Sequence, residues 1–174
     1  MFSKIKQRFR DMSTIKALCL GAEKHANANG QKEPGAEHFV LAALELPDGT
    51  ARKAFDRIHI DPEGFRAAIT QQYQDALRNI GIEMPQHSAI SDATAPIPPG
   101  TGLYNAQPSA QALMHQLVHQ RKVESNAPLL GAHVILAVTS AQYGVAVRAL
   151  QAMGVDLTRL AEAATTEINA LRTV

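Results

Sequence analysis

Apolar residues near the start of the chain recur at Ile15, Leu18, Cys19, Ala22 and Ala26, spaced by three and four, which places them on one face of a helix. The next apolar run, His38-Phe39-Val40-Leu41-Ala42-Ala43-Leu44, is hydrophobic on nearly every side and predicts a short, central helix. After Gly49 the stripe Ala51, Ala54, Phe55, Ile58 predicts a third helix. Asp61-Pro62-Glu63 predicts the start of a fourth, with an acid to accept from free backbone N–H groups and proline at the first helical position. Phe65, Ile69, Tyr73, Ala76, Leu77 and Ile80 continue its apolar face.

The same pattern then returns. Thr14–Ile69 and Ser109–Ala164 align without a gap at an offset of 95 residues, with ten identities in 56 columns. The identities include Leu18/Leu113, His38/His133, Leu41/Leu136, Gly49/Gly144, Ala54/Ala149 and Asp61/Asp156, and conservative pairs such as Val40/Ile135 and Phe55/Leu150 lie between them. They fall on apolar helix faces and helix starts, as a duplicated structural unit requires. The first helix is matched by Ala110, Leu113, Met114 and Leu117, and the last by Leu157, Leu160, Ala161, Ala164, Ile168 and Leu171. The expected fold is therefore all-α, with two four-helix repeats related by a pseudo-twofold axis and sharing one core. Its boundaries are 11–80 for the first repeat, 81–107 for a Pro- and Gly-rich connector and 108–172 for the second, within a single domain, 1–174.

Composition narrows the function classes. The 174 residues are 45% hydrophobic and 19% charged, with a net charge of +1, which excludes a disordered chain and a global pull toward nucleic acid. Aromatic residues make up 5% and Trp is absent, a poor basis for stacking single-stranded bases. Cys19 is the only cysteine, so no intrachain disulfide can form and a reducing cytoplasm is the expected setting. No stretch approaches the roughly 20 apolar residues that span a bilayer. Met1–Arg10 alternates Phe2, Ile5 and Phe9 with Lys4, Lys6, Arg8 and Arg10, lacks the apolar core of a secretory signal, and is expected to form a short helix packing Phe2 and Phe9 onto the body.

Particular residues name a family. Gly35-Ala36-Glu37-His38-Phe39-Val40-Leu41 and Ile58-His59-Ile60-Asp61, with Gly131-Ala132-His133-Val134-Ile135-Leu136 and Met153-Gly154-Val155-Asp156-Leu157 in the second copy, resemble the tandem Clp repeat in the N-terminal domain of Clp-type unfoldases. The Met1-Phe2 start is similar to that of the ClpC-type branch. The resemblance covers about Met1–Leu171. It implies a role in docking adaptors and substrate proteins for an ATP-driven unfoldase or protease. Since the chain stops where ATPase modules would begin, it is expected to be a stand-alone N-domain protein or a piece of a longer one.

Candidate chemistry is sparse. Pro98-Pro99-Gly100-Thr101-Gly102 imitates the start of a phosphate loop, but Leu103, Tyr104 and Asn105 follow where Lys and Ser/Thr are needed. In ClpC-type domains the Glu of the Glu-His motif is associated with gripping the guanidinium of phosphorylated arginine, a charge-assisted contact. Here Glu37 keeps that acid and Ala132 lacks it, so the resemblance implies one such site at most. The preferred reading of Glu37 is the simpler one, an acid in the first turn of a helix, where the dipole favours negative charge. His38 and His133 are read as structural groups at helix starts, and His115 and His119 as a solvated helix face without a third metal ligand. No catalytic group, cofactor or metal is expected. The chain is read as a non-catalytic protein-binding module with a Clp unfoldase, its adaptors or its substrates as partners, and neither nucleic acid nor membrane. Phe2 and Glu37 line its binding surface in this reading. The alternative is an autonomous helical protein that sequesters a peptide or small ligand without a Clp partner.

Overall fold

A computed structural model describes residues 2–79, 106–123 and 128–171, with the side chains of 2–6 and 123 excepted. Among these residues there are eight helices and no strand. The first repeat contributes α1 (Phe2–Ala28), α2 (Ala36–Leu44), α3 (Thr50–Arg57) and α4 (Gly64–Asn79), and the second α5 (Pro108–Val123), α6 (Gly131–Thr139), α7 (Val145–Ala152) and α8 (Leu157–Ala170). The order and type match the periodicity in both copies.

The second helices form the centre. Phe39, Val40 and Ala43 of α2 and Val134, Ile135 and Val138 of α6 are buried, as helices hydrophobic all round must be. Around this pair the other elements exchange partners across the repeats: α3 packs on α8, and α4 on α7. Phe55 and Phe65 from the first repeat and Leu150, Leu160 and Ile168 from the second thus fill one shared core. Polar contacts follow the same exchange, with Arg57 on Glu167 and Arg148 on Gln72.

Helix starts are capped across the repeats as well. Neither α2 nor α6 has a side-chain cap of its own at the N-cap residue. Asp48 accepts the N–H of Gly131 at 3.1 Å and Thr50 accepts that of Ala132 at 2.9 Å, so the turn before α3 caps α6. Ser109 of α5 accepts the N–H of Ala36 at 3.2 Å and serves α2 in the same way. His38 and His133 complete each start from within: Nδ1 accepts the N–H of Gly35 at 2.9 Å and of Leu130 at 3.1 Å respectively. A histidine at the third helical position does here what Glu or Gln does in a capping box. That is why the histidine recurs in both copies.

Three local expectations change. Met1–Arg10 is not a separate short helix, since α1 runs unbroken from Phe2, and Phe9 is 65% exposed rather than packed on the body. The fourth helix starts one turn later than Asp61: Asp61 accepts the N–H of Glu63 in a turn, and Gly64 begins α4. In the second copy Asp156 does cap α8, accepting from Thr158 and Arg159. Leu136 is only half-buried, unlike Leu41. Residues 81–105 of the connector, with the Pro98–Gly102 segment, lie outside the described residues.

Candidate functional site

Two places concentrate what the sequence singled out. The first is internal. Glu37 is 1% exposed, and its carboxylate accepts the Tyr73 hydroxyl of α4 at 2.5 Å. Gly35 makes this possible, because a Cβ there would stand 2.5 Å and 2.7 Å from the two carboxylate oxygens. Gln107 closes the other side, donating to Gln31 and to the Glu33 carbonyl at 3.0 Å each. Burial, and then the hydrogen bond to Glu37, push Tyr73 up to about 12, so the phenol remains a donor at physiological pH.

The histidines beside it are neutral. Burial pushes His38 below its ordinary value despite the nearby Glu37 carboxylate. That carboxylate lies 3.5 Å from Nδ1, but Nδ1 is already accepting from Gly35, so the contact is not an ion pair. His25, buried on α1, is likewise held low by burial first. Its Nδ1 faces Arg66 at 3.1 Å and its Nε2 lies 3.1 Å from Glu45, so a neutral ring bridges a cation on α4 to an acid after α2. This network ties α4 to α1 and α2 through polar groups. It leaves the Glu37 carboxylate no open face to a guanidinium in this conformation.

The second place is a surface groove of about 460 Å³ between the first helices of the two repeats. Its floor is apolar: Ile15 of α1, Met114 and Leu117 of α5, and Leu129 before α6. Val118, 51% exposed, stands at its edge. Asp11 fixes the two walls, receiving Arg121 at 2.7 Å and the N–H of Leu129 at 2.8 Å. Arg8 and Lys122 complete the rim. The groove exists because the side of α1 that buries Leu18, Ala22 and Ala26 continues toward its N-terminus through Ile15, Asp11 and Arg8 with no buried residue. A smaller cleft of about 210 Å³ lies between α5, α6 and α7, floored by Leu113, Val138 and Val147 and edged by the 85% exposed Tyr143.

The structure therefore separates the residues grouped on sequence. First-helix residues line a groove, Glu37 lies inside the first repeat, and the Phe2 side chain is outside the described residues. His115 and His119 are exposed on α5, and no group of three metal-binding side chains occurs among the described residues. No described helix is long and apolar enough to cross a membrane. Sequence reasoning missed Tyr73 as the partner of Glu37. The signal was available: extending the repeat alignment four residues pairs Tyr73 with Ile168, and Glu37 with Ala132, so both members of the contact change together.

The fold is that of a Clp N-terminal domain. It is similar, at a TM-score of 0.55 and 17% identity over 92% of both chains, to the N-terminal domain of the caseinolytic-protease-associated chaperone ClpD from Arabidopsis thaliana. No family model and no curated protein matches the sequence.

Proposed function

We propose that this chain is a non-catalytic protein-binding module that docks adaptor or substrate proteins for an ATP-dependent Clp unfoldase, or regulates one. The observation that carries the reading is the α1–α5 groove, an apolar floor held open by Asp11 on a fold shared with a Clp chaperone domain. Grooves between helices of this kind accept apolar anchors from a partner. In this reading Phe2 remains a candidate contact for the partner, and the setting is cytoplasmic. Glu37 joins a ligand site only if Tyr73 moves aside.

The test places a photo-crosslinking residue at Val118 in the full chain and exposes it in its own cells. Recovery of a Clp unfoldase, its peptidase or a Clp adaptor on Val118, and its loss when the partly exposed Met114 is changed to Asp, is the expected result. Absence of every Clp component, with the protein folded and abundant, overturns the reading in favour of a sequestering protein without a Clp partner.

A further inference from the structure

Resting on the reading of the α1–α5 groove as a docking surface, we infer that its partner is an amphipathic helical segment whose apolar face is flanked by carboxylates. Only one acid, Asp11, lines the groove, and it is committed to Arg121 and to the Leu129 N–H. Arg8 and Lys122 are then left on the rim with no facing carboxylate among the lining residues. The chain as a whole carries only +1, so this is a local excess rather than a general basicity.

The N-terminus of α1 adds to it. Arg8 lies in its second turn, and its first turn contains no acid. Cations near a helix N-terminus oppose the dipole. A carboxylate-bearing partner relieves that repulsion.

The floor specifies the rest of the partner. Ile15, Met114 and Val118 present aliphatic and thioether surface above the buried Leu117 and Leu129, with no aromatic ring among the lining residues, which suits Leu or Phe anchors and gives bases nothing to stack on. Between Gln7 and Ile15 the α1 wall runs about 12 Å, at 1.5 Å per residue. That length takes two turns of a guest helix, presenting anchors at i, i+4 and i+7.

The experiment uses a fluorescein-labelled, helix-stapled 16-residue peptide with Leu at i, i+4 and i+7 and Glu on both flanks, titrated into the full chain by anisotropy. Saturable binding is expected, at least about tenfold weaker for the Lys-flanked version and for the Arg8→Glu/Lys122→Glu protein, with affinity regained when the Lys-flanked peptide meets that variant. Higher salt should weaken the Glu peptide and leave a smaller apolar remainder. Circular dichroism confirms that the variant is folded, since both changed residues are exposed. Equal binding of the two peptides, no binding of either, or displacement of the Glu peptide by single-stranded DNA overturns the inference. So does a monomer–dimer equilibrium abolished by the same variant, which would make a second copy the occupant. If the peptides fail while a Clp component still crosslinks to Val118, only the partner chemistry falls. If the peptide binds and no Clp component crosslinks, the Clp reading falls instead.

Discussion

The two repeats share a backbone plan and fill it with opposite chemistry. Inside the first, Tyr73 links Glu37 and Gln31 by hydrogen bonds, His25 pairs with Arg66, and α4 meets α2 at few points. Inside the second, Ala132 and Ile168 stand at the places of Glu37 and Tyr73, and α8 lies closely along α6. A size exchange accompanies the change: Gly35 leaves room for the Glu37 carboxylate, whereas Leu130 carries its own side chain beside the trimmed Ala132. The first helices differ in the other direction. Gly21 sits so close to α2 that a Cβ would stand 2.8 Å from the Ala42 Cβ, while its counterpart Gln116 edges the open cleft beside α6. The lesson is that a duplicated fold conserves volume and helix direction, and each copy is then free to choose polar or apolar filling.

The largest contrast is expected at the paired leucines of the central helices. Leu41→Ala should cost about 2–5 kcal/mol, as for other buried leucines, and Leu136→Ala clearly less, because that side chain is only half-buried. Urea denaturation measures both, and equal losses would break the distinction between the copies.

Converting the interior of the first repeat to that of the second sharpens it. Glu37→Ala and Tyr73→Ile should each destabilise by about 1–3 kcal/mol, since each leaves a polar partner without its hydrogen bond. The double substitution should cost less than the sum, and a double-mutant cycle showing strict additivity would mean the pair is not coupled.

A comparable effect is expected where α1 crosses α2. Gly21→Gln should cost about 1–3 kcal/mol through overpacking against Ala42. The reverse change in the second copy, Gln116→Gly, should lose no more than about 1 kcal/mol of helix propensity. Thermal melts of the two variants suffice, and a tolerated Gly21→Gln would show that α1 can move off α2.

The smallest effect is a gain. His59 holds φ at 58°, and its counterpart Gly154 adopts φ 75° in the same turn. His59→Gly should therefore stabilise by about 0.5–1 kcal/mol, the left-handed penalty less the entropy of glycine. A lower denaturation midpoint for this variant would contradict the equivalence of the two turns.

Much of the fold was legible because the pattern is stated twice: a helix face seen once is ambiguous, but Ala54/Ala149 and Phe55/Leu150 in register are not. The groove was less so. Its walls come from α1 and α5, whose residues Asp11 and Arg121 lie 110 positions apart, and no local period reports that pairing. The continuation of α1 through Arg10 was hidden because its basic alternation suggested a separate segment. Glu37 looked like a surface acid for a related reason. What buries it is Tyr73, 36 positions on, and hydropathy alone assigns that residue to an ordinary core stripe.

The exchange of third and fourth helices also has a consequence for how the chain acquires its structure. Phe55 on α3 is covered by α8, and the capping of α6 reaches back 83 positions to Asp48. Contacts of such range impose a large loop-closure cost before they return any stabilisation, so folding should be slow for an all-helical protein of this size. During synthesis the first repeat must wait with its apolar face uncovered until the second has been made. A protein built this way passes through a stage in which it resembles the unfolded clients of a chaperone.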